Sequence, residues 1–186
     1  MDTHWYLETV RSRLRADGFS CRAGTDFVGL RHELEAEVGK LQSAGFPCRP
    51  GGLNGWRPEF VAHKGGGRFS GGEQVFVVSR FAALGLHQLM TYLANGFAVG
   101  QVTRKAHKQS LGIFTVAVAD DPEDLAAEEA EWGKRTEFGD LAGIPLPVIV
   151  DARYGQVHYF QELPLWGQAL YSAFRKAIHK YLLPGA

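Results

Sequence analysis

The sequence predicts an α/β domain, with α+β as the alternative arrangement: a mixed central sheet layered between helices. Gln74-Val-Phe-Val-Val-Ser-Arg-Phe81 and Leu111-Gly-Ile-Phe-Thr-Val-Ala-Val-Ala119 are short apolar runs rich in Val and Phe, bounded by glycine or charge. Strands covered on both faces read this way. The stretch from about Leu84 to Asn95 reads as a helix between them. Used as a crossover, it makes the two strands parallel neighbours. Residues 1–186 therefore read as one domain with about five to seven strands and four or five helices. Residues 1–26 form an α-β appendage at most.

In chain order, residues 4–17 are helical, with Trp5, Leu7, Val10 and Leu14 sharing a face and Arg11, Arg13 and Arg15 solvated. Gly18 stops that helix, and Phe19 to Ala23 is a short strand. Phe27 to Ala44 reads as a helix with a Leu30, Leu34, Val38, Leu41 stripe, although Phe27-Val-Gly-Leu30 also fits a strand. Gly45 ends it. Gly18-Phe-Ser-Cys-Arg22 and Gly45-Phe-Pro-Cys-Arg49 resemble one another, either as two similar corners or as a duplication.

Residues 50–72 are glycine-rich, with Glu59-Phe-Val-Ala-His-Lys64 as a strand and 65–72 as a hairpin loop. A phosphate cradle is not the expectation, because no Gly-Lys-Ser/Thr follows and the next element is a strand. Gly96 and Gly100 mark a loop after the central helix. Asp121-Pro-Glu-Asp124 reads as a capped helix start, with Asp121 the cap, and the helix runs to about Trp132 with Glu128, Glu129 and Glu131 exposed. Val148 to Asp151 and Gln156 to Gln161 form a hairpin through Ala152-Arg-Tyr-Gly155. A helix over about 165–183 buries Leu170, Phe174, Ile178 and Leu182.

Composition excludes several function classes. The balance of 20 Lys+Arg against 20 Asp+Glu supplies no overall attraction to nucleic acid or an anionic membrane. No run approaches the roughly 18 apolar residues that span a bilayer. Met1-Asp-Thr-His-Trp-Tyr lacks a secretory layout, so the expected location is cytoplasmic. Cys21 and Cys48 are expected as free thiols, and their spacing fits no zinc pattern. The seven histidines include no zincin pair, and no Gly-x-Ser-x-Gly elbow occurs. Among candidate contacts, Arg104-Lys-Ala-His-Lys108 is the strongest local positive charge. Asp120, Asp121 and Asp151 lie at the C-terminal ends of expected strands, where α/β folds place ligand groups. Asp151 is the better candidate of the three, although a turn-forming Asp before Ala152-Arg-Tyr-Gly155 explains it better than a ligand group does.

From residue 27 the order of elements is helix, weak strand, strand opening on Pro58-Glu59, strand Val75–Arg80, helix with Gln88-Leu-Met-Thr-Tyr92, and strand 111–119. This order resembles the αβββαβ core of the PD-(D/E)xK nucleases. The resemblance implies a helical acid at Glu33 or Glu35, Glu59 in place of the family's Asp, and Gln88 and Tyr92 as the helix motif. The third strand departs from the pattern: Val78-Ser79-Arg80 stands where acid-x-Lys belongs, and Val78 offers Mg²⁺ no oxygen.

Three functions follow as expectations. The first is a non-enzymatic binding or interaction module with no cofactor and no metal, engaging a protein partner or its own copies. Trp56, Trp132 and Trp166 are its candidate anchors. The second is a diverged nuclease-like enzyme with a shifted Mg²⁺ site that uses Glu33, Glu59 and, as a further candidate, Glu73. The third is nucleic-acid binding without catalysis through Arg80, Arg104, Lys105 and Lys108.

Overall fold

A computed structural model describes residues 1–43, 56–65, 72–103, 111–132, 144–161 and 168–185. The elements are α1 (Thr3–Ala16), β1 (Ser20–Ala23), a 3₁₀ segment (Gly24–Leu30), α2 (Arg31–Ser43), β2 (Phe60–Lys64), β3 (Glu73–Leu84), α3 (Leu86–Thr103), β4 (Leu111–Pro122), α4 (Asp124–Trp132), β5 (Ile144–Asp151), β6 (Gln156–Tyr159) and α5 (Gln168–Leu182). The six strands form one sheet in the order β1-β2-β3-β4-β5-β6. The α/β class and the mixed sheet are as the sequence predicts.

Sheet register follows from the connections. β1, β2 and β3 form an antiparallel meander, with Cys21 opposite Ala62 and Val61 opposite Val77. β3 and β4 are parallel neighbours, with Phe76 opposite Phe114, and α3 is the crossover between them. β4 and β5 are also parallel, with α4 between them, and β6 returns antiparallel on β5. β6 pairs only with Val148 to Asp151. Pro145 and Pro147 therefore occupy a stretch of β5 that has β4 as its one partner among the described residues, where a missing N–H is tolerated.

Strand alternation divides the core into two layers. Phe60, Phe76, Val78, Phe114, Val116 and Val118 point to the α1/α5 face. Val61, Val75, Val77, Ile113, Ala117 and Ile149 point to the face covered by α2, α3 and α4. β1 belongs to this same sheet, so the first 26 residues are built into the molecule rather than hung beside it.

Several boundaries differ from the expectation. The buried face of α1 is Thr3, Tyr6, Leu7, Val10 and Leu14, and Trp5 points outward. At about 100° per residue, Trp5 lies some 200° from Leu7 and cannot share its face. Phe27 to Leu30 is neither strand nor α-helix but the end of the 3₁₀ segment. Gly96 and Gly100 are inside α3, not in a loop. A Cβ on Gly96 would stand 2.5 Å from Thr115 Cγ2, and one on Gly100 would stand 2.5 Å from Ile113 Cγ2. The two glycines thus set how closely α3 lies on β4. Asp121 does not cap α4, because β4 continues through Pro122 and the helix starts at Asp124. Glu129 is half-buried rather than exposed.

Gly18 ends α1 as expected. Its φ is +85°, and the Phe19 N–H donates back to Leu14 O at 3.1 Å. The Gly45 stop, the corner similarity at 45–49, Cys48 and the glycine loop over 66–71 lie outside the described residues. Cys21 is a free, half-buried thiol.

Candidate functional site

The three parallel strands β3, β4 and β5 end on the same side of the sheet. Past their apolar stretches they carry Arg80, Asp120, Asp121 and Asp151. Alternation sends Arg80 and Asp120 toward the α1 side and Asp121 and Asp151 toward the α4 side. Two ionic groups form as a result.

On the α1 side, Arg80 Nη2 donates to Asp120 Oδ2 at 3.0 Å, and the Thr3 hydroxyl donates to Asp120 Oδ1. The Thr3 bond, and then Arg80, hold the Asp120 carboxyl below its ordinary range. The Met1 ammonium donates to Ala152 O at 2.8 Å and adds a further positive charge near Asp120.

On the α4 side, Asp151 is buried, and its Oδ1 accepts the Arg153 backbone N–H at 2.8 Å. That contact is an Asx turn and accounts for the turn the sequence predicts here. The Arg153 guanidinium also grips the carboxylate, with Nη2 on Oδ2 at 2.9 Å and Nε on Oδ1 at 3.2 Å. Burial works to raise the Asp151 pKa, but the Arg153 side-chain and backbone bonds outweigh it and the net direction is down. Arg153 Nη1 reaches Asp121 Oδ1 at 2.6 Å, and Nη2 reaches Pro122 O at 3.0 Å. One arginine therefore ties the ends of β4 and β5 together. The sequence reading missed Arg153, and the Asp-x-Arg spacing over 151–153 was the available signal.

Among the described residues, the exposed large hydrophobics are Met1, Trp5, Leu125 and Tyr154. Met1 precedes Thr3, which is bonded to Asp120, and Trp5 stands in the same first turn of α1 but on its solvent side. Tyr154 follows Arg153, whose guanidinium lies 5.3 Å over its ring. Leu125 sits in the first turn of α4, three residues beyond Pro122.

The residues implied by the nuclease resemblance are dispersed. Glu33 and Glu35 are exposed on α2. Glu59 is exposed just before β2, with its backbone N–H on Val78 O at 2.8 Å. Gln88 turns back to accept the Gly85 N–H at 3.0 Å, a cap on α3. Tyr92 is buried, its hydroxyl shared between Val77 O and Val116 O at 2.8 Å each. Burial raises its pKa far above the phenol range.

Glu73 lies at the start of β3, five residues from the Val78 to which Glu59 is joined. At about 3.3 Å per residue the two are roughly 16 Å apart, too far to share an ion. Glu73 is instead buried with its Oε1 2.6 Å from His63 Nε2. The sequence reading missed this His–Glu contact, which a hairpin register placing His63 opposite Val75 would have located. Among the described residues, no group of three or more His, Cys, Asp or Glu side chains is placed to hold a metal ion.

The remaining candidates separate in the same way. Arg80 is engaged by Asp120. Arg104, Lys105 and Lys108 lie outside the described residues. Trp56 is half-buried against Tyr92, with ring centroids 5.7 Å apart, so it packs the core rather than standing free as an anchor. Trp166 and the side chain of Trp132 lie outside the described residues.

No described helix is long and apolar enough to cross a membrane. No family model, curated protein or solved structure matches the chain.

Proposed function

We propose that this chain is a non-enzymatic, cytoplasmic binding module that engages a protein through the C-terminal edge of its parallel strands. The observation that carries this reading is that Met1, Trp5, Leu125 and Tyr154, the exposed large hydrophobics of the described residues, belong to segments that begin or turn at this edge: the start of α1, the start of α4 and the turn after β5. Aromatic side chains and arginine dominate the energetics of protein interfaces because they bury much area with little loss of rotamer freedom. Here the arginines are already held by Asp120, Asp121 and Asp151, so the surface is organised before a partner arrives. The free thiol of Cys21 suits a reducing compartment.

The test is retention by the immobilised chain. Wild type is exposed to lysate of the source cells and, separately, to untagged copies of itself. A Trp5→Ala/Tyr154→Ala double variant with unchanged circular dichroism is treated in parallel. Wild type is expected to retain a protein in stoichiometric amount in one of the two arms, and the double variant to lose it. Equal retention by both chains would overturn the reading.

A further inference from the structure

The balance of 20 Lys+Arg against 20 Asp+Glu conceals a separation between the two helical layers. On one side of the sheet, α5 carries Arg175, Lys176 and Lys180 and no acid, and α1 carries Arg11, Arg13 and Arg15 against Glu8 alone. On the other side, α4 carries Asp124, Glu128, Glu129 and Glu131 and no base. We infer that the α1/α5 layer holds a nucleic acid by its phosphate backbone, through Arg15, Lys64, Lys176 and Lys180 around the end of α1. Lys64 stands opposite Gln74 at the opening of β3, so this surface lies at the other end of the strands from the edge proposed to meet a protein. The inference does not rest on that edge.

The last carbonyls of α5 are already met from α1, by Arg13 Nη1 on Leu183 O at 2.8 Å and by the Tyr6 hydroxyl on Leu182 O. The α5 lysines are therefore not occupied as caps. Lys180 Nζ lies 2.7 Å from Asp17 Oδ1 and Lys64 Nζ 3.4 Å from Asp17 Oδ2. Two ammonium groups thus share one carboxylate, and positive charge is left over. Lys176 stands one turn before Lys180 on the same face of α5, and Arg15 stands two residues before Asp17. Both are exposed, and neither is paired with a carboxylate among the described residues. Arg15 hydrogen-bonds the Cys21 thiol, which leaves its charge uncompensated. None of the four exposed large hydrophobics of the described residues lies in this group. Trp5, on the same helix, is ten residues from Arg15, about 15 Å along the axis. A protein interface is built on an apolar centre depleted in lysine, and a membrane contact on apolar insertion. A phosphate backbone is bound by charge alone. The acidic α4 layer repels it, so a polyanion is drawn to the α1/α5 side.

Fluorescence anisotropy of a short labelled DNA duplex with the full chain, at low and then rising salt, tests this. Wild type is expected to bind, with log affinity falling against log salt at a slope of about −3 to −4 for four phosphate contacts. Arg15→Glu/Lys176→Glu alters two exposed, unpaired side chains and is expected to weaken binding about tenfold or more and to flatten the slope by about 2. Lys40→Glu/Arg57→Glu makes the same change of net charge at exposed positions outside the group and is expected to keep most of the affinity. The wild-type slope tests the inference without any variant. No binding at the lowest salt, a slope near zero, or an equal loss in both double variants overturns it. Binding to phosphatidylserine vesicles by a chain that ignores the duplex overturns it as well.

Discussion

The α1/α5 face of the sheet is filled with rings, whereas the opposite face is filled by bringing a helix backbone close to the strands. On the first face, Phe76 and Phe114 stack with centroids 4.1 Å apart and planes within 3°. Phe19 and Tyr181 meet Phe76 edge-on, and Phe174 meets Phe114 at 87°. Gly112 leaves room for Phe174, since a Cβ there would stand 2.5 Å from its ring. The polar tips on this face are met there too: Tyr6 bonds Leu182 O inside the core, and Tyr181 bonds Asp17 at its rim. On the second face, Gly96 and Gly100 let α3 settle onto Thr115 and Ile113, and polar groups sit inside the core: Tyr92, Thr115, His63 and Glu73. Large rigid side chains tolerate some distance between layers, but a close backbone approach does not. The two faces should therefore fail in different ways.

The largest expected effect separates them through adjacent residues of β4. Phe114 and Ile113 are both fully buried and point to opposite faces. Phe114→Ala removes the stack and the edge contact together and is expected to lower stability by about 4 kcal/mol in urea unfolding. Ile113→Ala is expected to cost about 3 kcal/mol or less. If Ile113→Ala proves the more damaging, the ring-filled face is not the stronger half of the core.

Gly96→Ala is expected to come next. The added methyl meets Thr115 Cγ2 at 2.5 Å, and overpacking of this kind costs about 1–3 kcal/mol. The better helix propensity of alanine returns about 1 kcal/mol, leaving a loss of about 0–2 kcal/mol. Thr115→Ser deletes the opposing methyl, so the double variant is expected to recover most of the loss in a double-mutant cycle. Simple addition of the two single effects would mean that α3 does not rest on that methyl.

This helix also shows where the sequence was legible and where it was not. The apolar runs in β3 and β4 identify themselves because strands covered on two faces need no polar alternation, and a helix between them is enough to make them parallel. Gly96 and Gly100 misled, because glycine breaks a helix by local propensity yet permits it when the helix must touch a sheet. Only the register of β4 tells the two cases apart. Trp5 misled through a helical angle that was open to calculation, and Asp121 through a cap pattern that the extra length of β4 overrides. The ionic edge was half legible. Asp120, Asp121 and Asp151 were readable as strand ends, but Thr3 and Arg153 join them only once α1 and the 152–155 turn are placed in space.

A smaller effect of opposite sign is expected at Thr115. Its Oγ1 is buried and has no hydrogen-bond partner among the described residues. Burying an unmet hydroxyl is unfavourable, and valine has the same shape without it. Thr115→Val is expected to raise stability by about 1 kcal/mol, read as an increase in Tm. A lower Tm would mean that an ordered water bonds the hydroxyl, and that the helix-covered face is better satisfied than its geometry indicates.

The smallest expected effect concerns the rim of the ring-filled face. Asp17, just past the end of α1, bonds Lys180 at 2.7 Å and Tyr181 on α5, with Lys64 of β2 also in contact. The Lys180 bond, then the Tyr181 bond, lower its pKa from 3.8 to about 2. At the other end of α1, Asp120 is lowered by Thr3 and Arg80. A carboxylate with a depressed folded-state pKa contributes its full stability above the unfolded value and loses it as pH falls through the folded value. The Asp17 end of α1 should therefore loosen from about pH 4 down to about pH 2, the Asp120 end should loosen as the pH falls below the ordinary carboxylate range, and neither should change near neutrality. Each group is partly exposed, which limits its contribution to about 1 kcal/mol or less. Hydrogen exchange of α1 and α5 amides over this range is the measurement. Protection lost there before it is lost in α3 would place the acid-sensitive contacts on the α1/α5 face, whereas α3 opening first would assign the acid weakness to the face that buries His63 and Glu73.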